Sequence, residues 1–423
     1  MNLVYLGRYT FTMRPALALL VGLLPLFGGG ISPAEYKQRR AEVRKSLDGV
    51  MVLFGAEDPD DLHTAFFQES NFLYLSGCRE PGAVMLLTRG EEILFLPPHN
   101  AQAEIFNGHR TSAEDKDALE KTGFEKVLPR SAIESAYLRM IETSRSVYTL
   151  PGDAGAKKLR SLAVLHDERD AAMQIARQRV IKSPAEIALI TESTDATVAA
   201  HLAAWKAMKS GVFEYEIAAT MTNVYLQRGC ERSAYAPIVG SGPNSVILHY
   251  MSNHRRVDSG ELVLMDVGAE CSDYATDVTR TVPAGGKFTP RQREIYEVVL
   301  GAQKAAIAAV KPGAVMRGGK GSLQQIARDY IDSHGKDLHG DSLGKYFTHG
   351  LGHYVGLDVH DPGDSSWPLQ PGMIITIEPG VYIPEENIGI RIEDTVLVTD
   401  SGAKLLSGTL PREPGEIEKR LGK

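Results

Sequence analysis

Three of the chain's 12 histidines lie within one short, glycine-rich segment at residues 348–361, THGLGHYVGLDVHD. They are His349, His353 and His360. Neutral imidazole is the commonest side-chain ligand of metals in proteins, and it also carries protons near neutral pH. The segment is therefore either a solvated loop that is rich in histidine or part of a metal site. A metal site requires carboxylates from elsewhere in the chain.

Two carboxylates interrupt a predicted hairpin at residues 261–282, ELVLMDVGAECSDYATDVTRTV. An apolar strand contains Asp266, a polar turn follows, and a β-branched strand contains Asp277. A turn centred at residues 271–272 places the two aspartates directly across from each other. Facing side chains on paired strands have Cβ atoms about 5 Å apart, and like charges in such positions destabilise a sheet. We therefore expect some other group to neutralise them.

The same pattern recurs at residues 374–399, IITIEPGVYIPEENIGIRIEDTVLVT, which also reads as a hairpin. A turn at residues 384–387 places Glu378 of the first strand opposite Glu393 of the second. Arg391 lies two residues before Glu393, so the two side chains share one face of the strand.

The four acids together indicate a pair of metal ions. Any one of them alone is equally well explained as an exposed edge residue or as the partner of an arginine. With a nearby histidine they form an oxygen-rich ligand set, which suits Mn²⁺ and also Co²⁺ or Zn²⁺. Four carboxylates exceed what one ion needs. We therefore expect two divalent ions, about 3.5–4 Å apart, that share bridging carboxylates and hold a bridging water that ionises near neutral pH.

The histidines do not all have to contact one ion. His349 and His353 are four residues apart, but the glycines around them make a helix improbable, so an extended or looped strand is expected. The segment then supplies one ligand and two helper residues. Another candidate is His249, which follows an apolar strand-like run just before the first hairpin. His254, beside two arginines, is expected to face solvent and is given no role.

The composition argues against several other functions. The chain has 423 residues, of which 43% are hydrophobic and 23% charged, and its net charge is −7. Lysine and arginine form no cluster in the sequence, so nucleic acid is not an expected partner. The spacing in KPGAVMRGGKGS, at residues 311–322, does not fit a phosphate-binding loop, and no GxSxG nucleophile motif occurs.

The three cysteines, Cys78, Cys230 and Cys271, are odd in number and far apart, and no CxxC occurs. We therefore expect neither a disulfide framework nor a thiolate zinc site. Cys271 is a weak candidate nucleophile because it falls in a predicted turn without a basic neighbour.

Two domains are expected after a short leader. Residues 33–175 alternate helical and strand-like runs, as in a small α/β domain. Strands are predicted there at residues 49–56, 71–77, 83–88 and 91–98. Residues 176–423 predict a larger α+β domain whose helices cover one face of a curved antiparallel sheet. Ser183 and Thr289 each begin a capping box for a long helix, and a shorter helix is predicted at residues 322–334.

The leader, residues 1–32, has the features of a signal peptide. Arg14 precedes an apolar run at residues 16–27, and small residues follow. The run is too short to span a bilayer comfortably. We therefore expect export to the periplasm or the extracellular space. The alternative is a cytoplasmic protein in which this run is a buried part of the first domain.

The motifs together resemble a known family. In this order, ILHY, LVLMDVGAE, YATDVTRT, HGLGHYVGLDVHD, TIEPGVYI and GIRIEDTVLVT are similar to motifs of the pita-bread metallopeptidases. That family includes aminopeptidase P, prolidase and methionine aminopeptidase. The stretch FFQESNFLYLSGCREPGAVMLL, at residues 66–87, resembles the N-terminal domain of aminopeptidase P, which methionine aminopeptidases lack. Aminopeptidase P is thus the first expectation and prolidase the second.

The resemblance implies a pita-bread catalytic domain and a role for each candidate residue. The implied ligands of the two metal ions, most simply Mn²⁺, are Asp266, Asp277, His353, Glu378 and Glu393. By the same resemblance, His249 and His360 contact the substrate and stabilise the tetrahedral intermediate. Glu378 transfers a proton, and His349 and Arg391 support the site. The implied substrates are peptides with proline at the second position, and the implied assembly is a homo-oligomer, a dimer or a tetramer. A non-catalytic peptide-binding module of the same fold is the alternative from another class.

Overall fold

The structure is a computed structural model that describes residues 30–422, apart from residues 60, 62, 164 and 165. The leader predicted at residues 1–32 lies almost wholly outside the described residues. In the part of the chain that is described, no helix is both long and apolar enough to span a membrane.

The first domain is built on one six-stranded mixed sheet. Its strand order is β4-β3-β2-β1-β5-β6, in which β1 pairs antiparallel with β2 and parallel with β5. The strands are β1 (Val50–Phe54), β2 (Val84–Leu87), β3 (Glu92–Leu96), β4 (Val127–Pro129), β5 (Ser146–Thr149) and β6 (Asp167–Asp170). The helices are α1 (Pro33–Lys45), α2 (Ser70–Ser76), α3 (Ala101–Asn107), α4 (Ala118–Thr122), α5 (Ile133–Ile141), α6 (Ala154–Arg160) and α7 (Ala171–Arg179). The expected small α/β domain is thus confirmed, whereas its predicted boundary after residue 175 stays a prediction.

The strand predicted at residues 71–77 is wrong, because this segment forms helix α2. The Glu69 side chain caps the helix by accepting from the Phe72 amide, and Gly77 ends it in the left-handed conformation at φ 64°. The side chains from Phe72 to Ser76 are buried. A short apolar run that is buried on all sides has the same sequence pattern in a strand as in a helix, so periodicity could not separate the two.

The second domain consists of small antiparallel sheets covered by helices. The helices are α8 (Pro184–Ala207), α9 (Glu214–Gln227), α10 (Pro290–Ala309), α11 (Leu323–His334) and α12 (Pro414–Leu421). The strands are β7 (Arg232–Ser233), β8 (Ile238–Ser241), β9 (Leu262–Val267), β10 (Ala269–Cys271), β11 (Tyr274–Ala275), β12 (Val278–Pro283), β13 (Ile374–Ile377), β14 (Gly380–Ile383), β15 (Ile388–Arg391), β16 (Asp394–Thr399) and β17 (Gly402–Leu405).

Both predicted capping boxes are present at the long helices of this domain. The side chains of Ser183 and Thr289 each accept a hydrogen bond from the backbone N–H of the third helical residue. The side chain of that residue in turn accepts from the backbone N–H of the capping residue. Helix α8 packs on β10, β11 and β12, whereas α10 packs on β13, β14, β15 and β17. The interior between helices and strands is one large hydrophobic core. The two helices therefore fix the positions of the two hairpins that carry the acids.

The first hairpin is confirmed, but its predicted register is wrong. Strands β9 and β12 pair so that Asp266 lies opposite Thr279, and Asp277 lies just before β12. The turn falls at Ser272 and Asp273, which both have positive φ, of 53° and 67°. It is centred one residue later than predicted, and a one-residue shift of the turn moves the cross-strand partner by two. The two aspartates are therefore diagonal neighbours rather than directly opposed.

The second hairpin has the predicted register. Ile377 pairs with Asp394 and Gly380 with Arg391, which places Glu378 opposite Glu393. Both glutamates lie at the break between β13 and β14 on one side and between β15 and β16 on the other. At this break the two glutamates are not part of the regular strand pairing. Their carboxylates are therefore expected to serve a role other than sheet formation.

The expectation of no disulfide is wrong, because Cys230 and Cys271 are bonded to each other. They are 41 residues apart in sequence. Strand β7 begins two residues after Cys230 and pairs with β10, which ends at Cys271. The pairing of these short strands brings the two sulfurs together. The spacing of the cysteines alone could not reveal this pairing. Cys78 is buried and free.

We predict one reactive thiol in the denatured, unreduced protein and three after reduction, because only Cys78 is free in the fold described here. Thiol titration in denaturant measures both values. A Cys230→Ser/Cys271→Ser variant is the control, and it should show one thiol under both conditions. Three reactive thiols without reduction would contradict the disulfide.

Candidate metal centre

All nine residues that the sequence singles out for the site line a single cavity of about 410 Å³. The cavity lies where both hairpins meet the histidine segment. Its lining includes the nine candidates, which are His249, Asp266, Asp277, His349, His353, His360, Glu378, Arg391 and Glu393. Residues more than 140 positions apart in sequence are thus brought to one place.

Asp266 and Asp277 share one hydrogen-bond donor. The Tyr235 hydroxyl lies 2.5 Å from Asp266 Oδ1 and also contacts Asp277 Oδ1. On its other side, Asp266 Oδ2 accepts from Arg391 Nη2 at 2.5 Å. Both aspartates are buried, with exposed fractions of 8% and 6%. These hydrogen bonds orient both aspartates, but no lysine or arginine among the described residues pairs with Asp277.

The opposed glutamates are held by threonines. Thr279 Oγ1 donates to Glu393 Oε2 at 2.7 Å, and Thr376 Oγ1 lies 3.4 Å from Glu378 Oε1. Glu393 is 1% exposed, and its Oε1 has no hydrogen-bond partner among the described residues. An unpartnered, buried carboxylate oxygen is costly unless a cation contacts it.

His353 is oriented as a metal ligand. Its Nδ1 lies 3.0 Å from the Tyr354 carbonyl, to which it donates, so Nε2 keeps a free lone pair. This Nε2 is 3.4 Å from Asp277 Oδ2 and 3.7 Å from Glu378 Oε1. Gly352 allows the close approach of this segment to β13, since a Cβ there would lie 2.0 Å from the Thr376 carbonyl oxygen.

The ligand atoms form two groups that share one residue. Asp266, Asp277 and Glu393 offer atoms within 4.8 Å of one another, and so do His353, Glu378 and Glu393. The shared Glu393 fits a carboxylate that bridges two ions. Carboxylate oxygens with a single imidazole and no thiolate are a donor set for hard or borderline divalent cations. The residues present therefore fit a pair of such ions.

Burial and mutual repulsion raise the pKa of three of the carboxyls. Burial and then Glu393 raise the pKa of Glu378 to about 8. The pKa of Asp277 and of Glu393 is also raised, by burial and then by the nearest aspartate. Asp266 is the exception: burial acts to raise its pKa, but the Arg391 charge and the hydrogen bonds from Tyr235 and Arg391 together lower it. Without cations, the centre favours protonated carboxyls over charged ones.

Arg391 and His349 are joined through Tyr382. The Tyr382 hydroxyl accepts from Arg391 Nη1 at 2.7 Å and lies 2.8 Å from His349 Nε2. His349 Nδ1 faces the Gly350 carbonyl at 2.8 Å, so Nδ1 donates and Nε2 accepts. Burial and then Arg391 lower the pKa of His349 to about 4, which keeps this histidine neutral. Arg391 contacts Asp266 rather than the neighbouring Glu393, to which the sequence had linked it.

His249 and His360 lie at the mouth of the cavity, and both are exposed. The rings of His353 and His360 are 4.2 Å apart, edge to face. His360 also offers a ligand atom close to Asp277 and His353, so proximity alone does not separate ligand from helper. The expected strand before His249 is wrong. A short 3₁₀ helix, Gly242–Val246, precedes it, because Gly242 at φ 50° turns the chain there.

The loop that carries His360 is anchored by buried ion pairs. Arg179 Nη2 lies 2.5 Å from Asp361 Oδ1 and 2.8 Å from Asp358 Oδ2. Lys182 Nζ contacts the second Asp361 oxygen at 2.8 Å. Arg179 ends helix α7 and Lys182 lies in the connection to α8, at the junction of the domains. His360 is thus placed by residues almost 180 positions earlier in the chain.

Sequence reasoning missed four contributors to the site, namely Tyr235, Tyr382, Arg179 and Arg317. Tyr382 was within a quoted motif, but Tyr235 and Arg179 lie in segments without a metal-ligand pattern. Arg317 belongs to the glycine-rich segment at residues 311–322 that was considered only as a phosphate loop, and it lines the cavity. Only tertiary structure reveals these contacts.

Two family models match the chain. Residues 188–400 match metallopeptidase family M24, and residues 36–148 match the N-terminal domain of aminopeptidase P. The first match covers most of the second domain and all nine candidate residues. The second covers most of the first domain.

Similar proteins are matched along nearly their whole length. The Xaa-Pro aminopeptidase of Haemophilus influenzae is 34% identical, over 92% of this chain and 97% of its own. The Xaa-Pro aminopeptidase of Escherichia coli is 32% identical with the same shares covered. A solved structure of Escherichia coli aminopeptidase P with the inhibitor Pro-Leu has a TM-score of 0.83 and 30% identity, and it covers 93% of this chain and 98% of its own.

We expect an Asp277→Asn variant to lose bound divalent metal, because asparagine lacks the negative charge that Asp277 offers to a cation. The amide keeps the size of the side chain, so the fold should persist by circular dichroism. Metal content after chelation and reloading with Mn²⁺ is measured by mass spectrometry.

His249→Ala is the matched control, since His249 lies in the same cavity but in none of the ligand groups. It should retain the metal content of the unmodified protein. Equal metal content in Asp277→Asn and the unmodified protein would contradict the assignment of Asp277.

Proposed function

The chain belongs to metallopeptidase family M24, and from this membership we propose that it removes the N-terminal residue of peptides whose second residue is proline. It is a metal-dependent hydrolase with the two-domain architecture of aminopeptidase P. The observation that carries the proposal is the convergence of five acid and histidine ligand candidates in one cavity.

We propose that Asp266, Asp277, His353, Glu378 and Glu393 hold two divalent ions, with Mn²⁺ as the physiological pair. The mostly carboxylate donor set supports Mn²⁺, while Co²⁺ and Zn²⁺ remain chemically compatible. A solved structure of the Escherichia coli enzyme is described as zinc-substituted and in complex with product. When bound, the two ions polarise the scissile carbonyl and lower the pKa of water at the centre.

Glu378 is the proposed proton carrier. Its carboxyl lines the cavity and is 17% exposed, and in the metal-free chain burial and then Glu393 raise its pKa. A carboxylate beside the scissile bond can accept the proton of the attacking water and pass it to the leaving proline nitrogen. Thr376 orients one oxygen of Glu378 for this transfer.

His249 and His360 are the proposed contacts to the substrate. Both line the cavity and are exposed to solvent, so a peptide that enters the cavity can reach them. Their ring N–H groups can donate to the carbonyl oxygen as negative charge develops there, which lowers the barrier more than it strengthens ground-state binding. Partial desolvation of its ring in the cavity and then the charge of His353 lower the pKa of His360, so it acts as a neutral donor.

Arg391 supports the centre rather than binding substrate. It is 3% exposed, and its guanidinium contacts Asp266 and the Tyr382 hydroxyl. These contacts keep Asp266 ionised and fix its orientation. A dipeptidase must bind the free carboxylate of proline, and Arg391 is already engaged. This observation favours the aminopeptidase over the alternative, prolidase. The intact ligand set likewise argues against a non-catalytic binding module.

Arg317 is a cationic side chain at the cavity that is available to bind the C-terminal carboxylate of a short peptide. It lines the cavity, is exposed, and forms no ion pair within the described residues. Its guanidinium faces Gly350, where a Cβ would lie 1.2 Å from Nη2. We propose that Arg317 meets the terminal carboxylate of a tripeptide.

The activity itself is tested by substrate length. Xaa-Pro-Xaa tripeptides should be hydrolysed with higher kcat/KM than Xaa-Pro dipeptides, and peptides without proline at the second position should be poor substrates. Initial rates with Mn²⁺ measure this order. Activity confined to dipeptides would replace the proposal by the prolidase alternative.

Arg317→Gln is the matched variant in this experiment. It should lower kcat/KM for a tripeptide acid by about two- to fivefold, the effect of one exposed ion pair. The same tripeptide with a C-terminal amide should be unaffected, because it lacks the carboxylate.

We propose further that the chain is exported through its N-terminal segment, to the periplasm or the extracellular space. The sequence of that segment and the disulfide between Cys230 and Cys271 support this, since structural disulfides persist mainly in oxidising compartments. N-terminal sequencing of protein from the native host should give a start at residues 31–36. A soluble cytoplasmic protein that begins at Met1 or Met13 would contradict export.

We also propose that the chain forms a homo-oligomer, a dimer or a tetramer. Ile105 and Phe106 of helix α3 are 81% and 80% exposed, which supports an interface on this face. Light scattering coupled to size exclusion should give two or four chains per particle, and Ile105→Ser/Phe106→Ser should shift the mass downward. A monomer at micromolar concentration would contradict the proposal.

A further inference from the structure

A second cluster of metal-ligand side chains lies in the first domain, outside the catalytic cavity. His99 precedes helix α3, Glu104 lies within it, and His109 follows its end. One atom from each of the three side chains lies within 4.8 Å of the others. None of these residues belongs to the motifs on which the proposed peptidase function depends.

The two imidazoles are held between two carboxylates. Glu104 Oε1 is 2.7 Å from His99 Nδ1, and Glu104 Oε2 is 3.8 Å from His109 Nδ1. On the opposite side, the oxygens of Asp115 lie 2.9 Å from His99 Nε2 and 3.5 Å from His109 Nε2. The two Nδ1 atoms therefore face one carboxylate, and the two Nε2 atoms face the other.

This arrangement matches a metal site with an outer carboxylate. Histidines that bind a metal through one nitrogen commonly donate from the other nitrogen to a carboxylate, which fixes the ring. Ligand atoms around a tetrahedral zinc ion are about 3.3 Å apart, because each bond is about 2.0–2.1 Å long. The observed separations of 2.7 and 3.8 Å lie on either side of that value and require only small side-chain rotations.

We propose that His99, Glu104 and His109 bind one divalent transition-metal ion of the zinc class, with Asp115 orienting both histidines. Two imidazoles with one carboxylate favour Zn²⁺, Co²⁺ or Ni²⁺ over Mg²⁺ and Ca²⁺. Three protein ligands leave a fourth position for water.

Helix α3 indicates what such an ion does for the fold. The helix has seven residues and buries no side chain against the rest of its own chain, so neither its length nor its packing within the chain stabilises it. The ion connects His99, two residues before the helix, with Glu104 inside it and His109 after it. It therefore acts as a clip on the two ends of α3.

The test compares zinc binding by untagged full-length chains. After chelation and reloading with Zn²⁺ alone, the unmodified protein should bind one more ion per chain than His99→Ala/His109→Ala. Mn²⁺-supported aminopeptidase activity should be the same in both, which separates this site from the catalytic centre. His334→Ala is the control, because this exposed histidine hydrogen-bonds only to Ser333 and the Tyr330 carbonyl.

Two further measurements keep the test decisive if the double variant folds poorly. Asp115→Asn retains all three ligands and should weaken Zn²⁺ binding at this site by about 10- to 100-fold. Zn²⁺ should also slow amide hydrogen exchange at residues 101–107 in the unmodified protein. Equal zinc content with and without the two histidines, or exchange that Zn²⁺ leaves unchanged, would overturn the proposal.

Discussion

The repulsion between buried carboxylates is the constraint on which the second domain depends. Asp266, Asp277, Glu378 and Glu393 converge in one cavity, and only Asp266 is paired with an arginine. Removing unpaired charges from water costs several kcal/mol for each ion. Because no further cationic side chains balance these charges, burial and repulsion raise the pKa of three of the carboxyls. Such a centre is completed by divalent cations, which restore full ionisation.

The surrounding structure holds these charges in place. Arg280 is fully buried, pairs with Asp394, and donates to the Glu393 carbonyl, so it joins the two hairpins directly behind the site. Thr395 Oγ1 donates to the Asp277 carbonyl at 2.7 Å and adds a second link. Arg179 and Lys182 anchor the His360 loop from the domain junction through Asp361. Buried polar contacts thus hold the backbone of Asp277 and Glu393 and the loop of His360 in place.

Local patterns predicted those parts of the structure that depend on neighbours in sequence. The capping boxes at Ser183 and Thr289 and the glutamate register of the second hairpin follow from residues close together, and they are present. The turn of the first hairpin was predicted one residue too early. Ser272 and Asp273 adopt positive φ there, without the glycine or asparagine that usually marks such a turn in a sequence. The helix at residues 70–76 and the disulfide failed because both depend on tertiary burial and strand pairing. All nine site candidates could be predicted because each is an acid, a histidine or an arginine within a recognisable motif. Tyr235 and Arg179 lie outside such motifs and could not be predicted.

Calorimetric titration of the metal-free protein with Mn²⁺, in two buffers of different ionisation enthalpy, tests the central claim most directly. It counts both the ions bound and the protons released. The account predicts two tightly bound Mn²⁺ ions per chain at pH 7, with net release of protons, because Glu378 has a pKa of about 8 before the ions bind and those of Asp277 and Glu393 are also raised. Binding of no ion or a single ion, or binding without proton release, would contradict the claim that these buried carboxylates are held together for a pair of cations.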